Sequence, residues 1–213
     1  MPGRQEIRSE ETRRAILKAA GELFAQRGFD AVTMREIARA AGCSHTTIYI
    51  YFKDKEALLH QLSMEPLQML QTTMEVVLED PALSPDERLK RVCLVFIRFC
   101  LASRNMYAIF FMTKATRVDE EDPALEINRL RNHLFGLLRR AVWEAVQLPP
   151  SDERVLAYAR ILFYNLHGII GTYTQSEEPL EDVMGRLAPT FELAIEVMLV
   201  GMKQHVSVGG NLS

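Results

Sequence analysis

Hydroxyl-bearing and ring side chains are concentrated in residues 44–51, which read Ser-His-Thr-Thr-Ile-Tyr-Ile-Tyr. On the outer face of a short helix, these groups are suited to the major groove of DNA. Threonine methyls can meet thymine methyls, hydroxyls can bond phosphate oxygens or base edges, and a histidine can reach a purine N7 or a phosphate. The alternative interpretation is that they are ordinary polar residues on a helical hairpin.

The neighbouring residues predict two short helices that would present this run. Thr33 and Glu36 have the spacing of a capping box that starts a helix over residues 34–41, and Gly42 supplies a tight turn. Ser44 then starts the second helix, which ends near residue 51. The predicted inward positions are Ile37, Ala41, Ile48 and Phe52, and the predicted outward positions are His45, Thr46, Thr47 and Tyr49.

Cationic side chains flank the two predicted helices. Arg35 and Arg39 lie on the first of them, and Lys55 begins the helix that follows, where backbone N–H groups and an ammonium together favour a phosphate. Residues 1–60 contain ten Lys and Arg against eight Asp and Glu, although the whole chain has a net charge of −3. A mildly basic N-terminal segment followed by an acidic remainder fits a small DNA-contacting domain attached to a larger domain.

No other combination of residues predicts catalysis or metal binding. The remaining candidate groups are scattered, namely His60, His133, His167, His205, Cys43, Cys93 and Cys100. None of these histidines has an acid or a nucleophile at a suitable spacing, and the cysteines lack the C-x-x-C spacing of a zinc site. We therefore expect no enzyme activity, no catalytic residue, no metal and no cofactor, and we interpret Cys93 and Cys100 as small core residues.

Helical periodicity dominates the sequence, and no segment alternates as a strand would. The pattern predicts an all-α fold of about nine helices, with an N-terminal three-helix helix-turn-helix domain over residues 1–55 and a helical domain over residues 56–213. The predicted helices span about 9–27, 34–41, 44–51, 54–79 with a kink at Pro66, 85–102, 106–116, 122–147, 151–173, a short piece near 180–186, and 187–203. Residues 204–213 are predicted to be frayed.

Composition argues against a membrane or secreted protein. The 213 residues are 48% hydrophobic and 25% charged, which is ordinary for a globular chain. There is no apolar run of about 18 residues, and the polar N-terminus lacks the apolar middle of a secretory signal. We expect a cytoplasmic protein with no membrane contact.

The last predicted helix is apolar on nearly every side, so it must be covered. At the end of a chain of this size, a subunit interface is the simplest cover, and the preceding helix is similar. Two such helices from each of two copies would form a four-helix bundle in a homodimer. The residues assigned to this interface are Phe163, Ile170, Phe191, Ile195, Met198 and Met202.

The N-terminal pattern closely resembles the signature of the TetR family of regulators, T-x-x-x-I-A-x-x-A-G-V-S-x-G-x-[IL]-Y-x-[YH]-F-x-x-K-x-x-L. The chain matches it at Thr33, Ile37, Ala38, Ala41, Gly42, Ser44, Ile48, Tyr49, Tyr51, Phe52, Lys55 and Leu58. It departs at Cys43, where valine is usual, and at Thr46, where glycine is common. Because Thr46 lies on the reading face, the DNA sequence preference of relatives with glycine does not carry over.

The resemblance implies a set of DNA contacts at the matching positions. Thr33, Tyr49, Tyr51 and Lys55 would contact phosphates, whereas Arg35, His45, Thr46 and Thr47 would lie near the bases; together with Ser44 they form the predicted DNA-binding set. A symmetric dimer would place two reading helices on the half-sites of a pseudo-palindromic operator in double-stranded DNA.

The resemblance also implies that residues 56–213 sense a small apolar ligand as well as dimerise. The predicted pocket residues are Phe96, Phe99, Tyr107, Phe110, Phe111, Phe135, Tyr164 and His167. The expected function is a homodimeric repressor that such a ligand releases from its operator. The alternatives are a dimeric regulator without a small-molecule effector, responding to a protein or acting as an activator, and an enzyme on a helical scaffold.

Overall fold

Nine α-helices form the computed structural model, which describes residues 4–209, and no strand occurs in that range. The all-α prediction is therefore confirmed. The helices are α1 (Arg4–Arg27), α2 (Met34–Ala40), α3 (His45–Tyr51), α4 (Lys55–Glu79), α5 (Pro85–Ala102), α6 (Arg104–Phe111), α7 (Glu126–Val146), α8 (Glu153–Tyr173) and α9 (Leu180–Gly209). Within the described residues, no single helix has the length and apolar content of a membrane span, although the bent pair α5 and α6 passes by length and composition alone.

Side-chain caps fix where several helices begin. Thr33 forms the predicted capping box of α2, and Ser84 forms one at α5. Ser44 accepts a hydrogen bond from the backbone of Thr47 at the start of α3, and Asp54 caps α4 in the same way. These bonds satisfy N–H groups that have no partner within the helix, so the starts of α2 to α5 are set by local chemistry.

The C-terminal helices differ from the prediction. The predicted break before residue 187 is wrong, because α9 is continuous and Pro189 lies well inside it. Proline removes one backbone donor, but Val183, Phe191 and Ile195 bury an apolar face on both sides of it, and this burial holds the helix together. The predicted fraying from residue 204 is also wrong as far as Gly209, whereas residues 210–213 lie outside the described part of the chain.

The segment after α6 is the other difference. The predicted helix over residues 106–116 ends at Phe111, and Lys114 adopts a left-handed conformation with φ 51°. A lysine in this conformation interrupts the helical path. The next helix begins at Glu126 rather than near residue 122. A non-helical connection therefore joins α6 to α7.

Helix α5 is the centre of the C-terminal part, where α4, α7, α8 and α9 pack around it. Its inward side chains include Leu89, Val92 and Ile97, none of which is exposed. Cys93 and Cys100 are buried among them, and burial raises the pKa of the Cys93 thiol to about 12. Both cysteines thus pack as small core residues. Helix α6 lies between this part and the first helices, since it packs against α1 as well as α4 and α5.

A buried arginine holds the end of α6. The Arg131 guanidinium donates to the carbonyl oxygens of Phe110 (2.6 Å), Ile109 (3.1 Å) and Thr113 (3.1 Å) and to the side chain of Asn128 (2.6 Å). The last carbonyl groups of a helix have no intrahelical partner and carry a partial negative charge. Arg131 supplies both the missing donors and the opposite charge.

We predict that Arg131→Met lowers the free energy of unfolding by about 3 kcal/mol, because it keeps an apolar stem but leaves several buried oxygens without donors. Urea denaturation at constant protein concentration measures the change. Arg139→Met is the matched control, since Arg139 is exposed on the same helix and its loss should cost less than about 0.5 kcal/mol. Equal losses in the two variants would show that the buried hydrogen bonds contribute little.

Candidate nucleic-acid interface and internal cavity

Helices α2 and α3 form a tight hairpin packed on α1. Ile37, Ala38 and Ile48 are buried and fix their crossing, as the sequence predicts for the isoleucines. Gly42 has φ 70°, in the left-handed region that favours glycine, and the Cys43 N–H donates to the Ala38 carbonyl at 3.0 Å. The hairpin therefore holds α3 rigidly, with one face turned outward.

The outward face of α3 carries the predicted reading residues. His45, Thr46 and Tyr49 are exposed, and the His45 ring meets the Tyr49 ring edge-on with centroids 5.2 Å apart. Ile50 is 76% exposed on this face, and the sequence prediction did not include it among the outward residues. Ile50 lies one helical turn after the outward Thr46, so the helical spacing alone places it on the outward face. An exposed isoleucine beside hydroxyl groups offers an apolar contact of the kind that thymine methyls accept.

Three hydroxyls of the predicted DNA-binding set, those of Thr33, Ser44 and Thr47, are engaged within the chain. The Thr33 hydroxyl donates to Glu36 at 2.8 Å, and this bond is the main cause that lowers the pKa of Glu36 to about 2. The Ser44 hydroxyl accepts from the Thr47 N–H at 2.9 Å and lies 2.7 Å from the Thr47 hydroxyl. These residues position α2 and α3, and a phosphate contact by the Thr33 hydroxyl would require it to leave Glu36.

The Lys55 ammonium is directed inward. It donates to the Phe29 carbonyl at 2.8 Å and lies 4.6 Å from the centroid of the Phe29 ring. It thus ties the start of α4 to the turn between α1 and α2, whereas the sequence placed it on a phosphate. The exposed cations on α2 and directly after α3 are Arg35, Arg39 and Lys53, and the exposed Arg8 of α1 lines a depression with Tyr51. Arg35 and Arg39 border a surface depression that His45 also lines.

An apolar cavity of about 50 Å³ lies among α4, α5, α7, α8 and the start of the segment after α6. Of the eight predicted pocket residues, four line it, namely Phe96, Phe111, Phe135 and His167. Phe99 and Phe110 do not, because they stack on each other with centroids 5.7 Å apart. Tyr107 lies behind His167, with its hydroxyl on the ring nitrogen. Phe163, predicted for the subunit interface, lines the cavity instead.

A surface groove adjoins the cavity, and Tyr164 lies there. The two share the wall residues Phe111, Thr116, Val118, Phe163 and His167. The outer side of the groove is polar, since Asp119 forms ion pairs with Arg160 and, at 3.5 Å, with Arg117. These shared residues therefore separate the groove from the cavity.

Most of the residues predicted for the subunit interface are covered within the single chain. Ile170, Phe191, Ile195 and Met202 are each at most 5% exposed, because the chain's own helices cover them, and Met198 is half-buried. The large apolar side chains that are exposed on the described residues of α8 and α9 are Ile161, Tyr164, Leu193, Val197, Val200 and Val208. A helix that is apolar all round does not reveal which side its own chain covers.

Two family models match the chain. "Bacterial regulatory proteins, tetR family" matches residues 16–62, and "Tetracyclin repressor-like, C-terminal domain" matches residues 89–198, which is more than half of the sequence. The first spans the hairpin of α2 and α3, and the second spans the cavity.

Individual proteins agree with these models. The chain is 31% identical over 157 residues to the HTH-type transcriptional regulator YhgD of Bacillus subtilis, a match that covers 72% of this chain and 81% of that protein. It is 33% identical over 119 residues to the regulator YdgC of the same organism, covering 54% of this chain but only 61% of YdgC, less than two thirds of its length.

Solved structures share the fold. The transcriptional regulator FadR of Bacillus subtilis in complex with stearoyl-CoA superposes with a TM-score of 0.62 at 20% identity, covering 88% of this chain and 98% of that one. Taken with the two family models, the hairpin and the cavity-bearing helices lead to one conclusion: this chain belongs to the TetR family of DNA-binding transcriptional regulators.

Proposed function

We propose that the protein is a homodimeric repressor that binds a pseudo-palindromic operator through α3 and releases it when a small apolar ligand occupies the cavity. Residues 1–55 would bind DNA, and residues 56–213 would sense the ligand and dimerise. The proposed ligand response is supported by one observation. The connection after α6 contributes to the wall of the cavity and, through Lys114, also contacts Glu56 and Phe29 of the N-terminal part.

The DNA contacts are proposed for the exposed face of α3 and the cations beside it. Tyr49 is half exposed, so its hydroxyl is free to bond a phosphate while its ring packs against His45. Thr46 and Ile50 offer methyl groups to base edges. Arg35 and Arg39 replace Lys55 as the cations available to the DNA, since Lys55 is held by Phe29.

The dimer is proposed to form through the outward stripe of α9, Leu193, Val197 and Val200, with Ile161 and Tyr164 of α8. Val197 is 62% exposed, and a contiguous apolar face of this kind is typical of a subunit contact. A two-fold axis through this face would pair the two α3 helices for half-sites about 34 Å apart.

The ligand is proposed to be apolar because apolar side chains predominate in the cavity wall. At about 50 Å³ the resting cavity is well below the roughly 150 Å³ that holds a benzene molecule, so a ligand must enlarge it. The connection after α6 is the non-helical part of the wall, to which it contributes Ala115, Thr116 and Val118. The structure of FadR in complex with stearoyl-CoA, which shares this fold, supports an apolar ligand.

Lys114 gives that connection a link to the N-terminal helices. Its ammonium lies 3.7 Å from the Glu56 carboxylate at the start of α4 and 6.0 Å from the centroid of the Phe29 ring. Lys55 holds the same Phe29 by its carbonyl. Displacing residues 115–118 would therefore move Lys114 and its contacts with Glu56 and Phe29. Because α4 is joined to the turn before α2 at Phe29, this movement would change the spacing of the two α3 helices.

The second candidate is a dimeric regulator without a small-molecule effector. The small volume of the resting cavity favours it, because a site of that size is filled by a few water molecules or by none. The two candidates differ in whether changes inside the cavity alter DNA binding.

We predict that Tyr49→Phe weakens binding to an operator selected from random DNA by about tenfold, because one hydroxyl bond to a charged phosphate is lost. The loss should be similar for related DNA sequences and should leave the salt dependence unchanged, since no charge is removed. Fluorescence anisotropy at several salt concentrations measures both. Tyr173→Phe, at a half-buried tyrosine of α8 outside the proposed DNA, dimer and cavity contacts, is the matched control, and equal affinities for Tyr49→Phe and wild type would refute the phosphate contact.

We predict that Val197→Glu converts the dimer to monomers at micromolar concentration, because two carboxylates would be buried across the symmetry axis. Sedimentation velocity gives the mass. Met69→Glu makes the same change at an exposed apolar residue of α4 and should leave the dimer intact. A dimer that persists in Val197→Glu would contradict the proposed interface.

We predict that Cys93→Met, which fills the cavity from α5, mimics a ligand and lowers operator affinity at least about fivefold. Cys100→Met is the matched control, since Cys100 is equally buried on the same helix but does not line the cavity. Both variants strain the core. Only Cys93→Met should lower operator affinity, which is measured on samples whose dimer mass has been confirmed. Equal losses of operator affinity in the two variants would favour a regulator without an effector.

A further inference from the structure

His167 is the polar side chain at the centre of the aromatic wall. Its ring centroid lies 4.1 Å from that of Phe163, 5.5 Å from that of Phe96 and 5.8 Å from that of Phe111. The same residue lines both the cavity and the groove that leads to it. The His167 ring is thus one of the side chains that separate the groove from the cavity.

One nitrogen of the His167 ring has a partner and the other does not. Nδ1 lies 2.5 Å from the Tyr107 hydroxyl. Nε2 is buried without a hydrogen-bond partner, and among the cavity-lining side chains that the structure describes it is the only buried polar atom in this state. An unpaired buried polar atom costs about 1–3 kcal/mol, so it is an atom that a ligand would satisfy.

The Tyr107 contact decides what Nε2 offers. The buried Tyr107 hydroxyl has no other partner within the described residues, so it is satisfied as a donor only by donating to Nδ1. The proton of the neutral ring then lies on Nε2. In the opposite tautomer both the hydroxyl proton and Nε2 would be unpaired. The arrangement with fewer unpaired groups therefore makes Nε2–H a donor that lacks an acceptor.

Burial keeps both partners neutral. It lowers the pKa of His167 to about 4 and raises the pKa of Tyr107 well above its usual value. The wall holds one cation, Arg131, whose donors are engaged by α6 carbonyls and Asn128, and no carboxylate is among the described residues that line the cavity. A cationic ligand would meet no opposite charge there.

We propose that the ligand of this cavity is an apolar molecule with an uncharged oxygen acceptor, such as a ketone, ester or ether, that accepts the Nε2–H of His167. This inference rests on the proposed ligand response and names the class of ligand. Tyr107 acts as a positioning residue, because it fixes the tautomer without touching the ligand.

The first test uses the ligand-free protein. Long-range ¹H–¹⁵N NMR of the full chain reports which nitrogen of His167 carries the proton. We expect Nε2–H in the wild type and a mixture of tautomers in Tyr107→Phe. Finding the proton on Nδ1 in the wild type would overturn the proposal.

The second test compares cyclohexanone with methylenecyclohexane, which has the same shape but no acceptor. Binding is followed by the methyl resonance of Met74, which lines the cavity, with the exposed Met69 as a reference. We expect His167→Phe to weaken binding of the ketone by about fivefold to tenfold. Binding of the hydrocarbon, which reports any change of cavity shape, should change little. His133→Phe, at an exposed histidine, should change neither.

The outcomes separate this inference from the proposed function. If both probes bind and His167→Phe weakens their binding equally, the proposed hydrogen bond from His167 is refuted. The cavity would then still bind apolar molecules. If neither probe shifts the Met74 methyl in the wild type, the cavity does not admit ligands, and both the proposed ligand response and this inference fail.

Discussion

The end of α6 is the point on which the two halves of the molecule depend. Its last carbonyl groups must find donors in the interior, and the Arg131 guanidinium of α7 supplies them. This contact fixes where the helix stops, and so where the connection that follows can contribute to the cavity wall and where Lys114 can reach Glu56. A buried cation without these acceptors would be strongly unfavourable, so helix end and arginine stabilise each other.

The N-terminal helices are the part of the fold that the sequence predicts best. Thr33, Ser44 and Asp54 each cap a helix through their own side chains, and Gly42 has the backbone conformation that its turn requires. Such signals act within a few residues, so they are legible without tertiary structure. Lys55 shows the limit, because its partner Phe29 lies 26 residues away and only the folded chain brings the two together.

The C-terminal helices carry less local information. Most positions between residues 187 and 202 of α9 are apolar, so periodicity does not say whether Phe191 or Leu193 faces inward, and packing against α5 decides it. Similarly, Asn128 and Arg131 stand three apart on the inward face of α7, a polar pair among Ile127 and Leu130. The carbonyl oxygens that accept from them lie on α6 and in the connection after it. Only half of the residues predicted for the pocket line the cavity, because large aromatic residues fill cores as well as line cavities.

Under the proposed ligand response, the small volume of the resting cavity would set how the regulator responds to ligand concentration. Where a site must open before it is filled, the apparent affinity is the affinity of the open state multiplied by the fraction of molecules that are open. The threshold concentration then depends on the stiffness of the connection after α6 as much as on ligand contacts. Changes at Ala115 or Thr116 would shift the midpoint of the response while selectivity at His167 stayed the same. Sensitivity and specificity would thus be adjustable separately, by different residues of one wall.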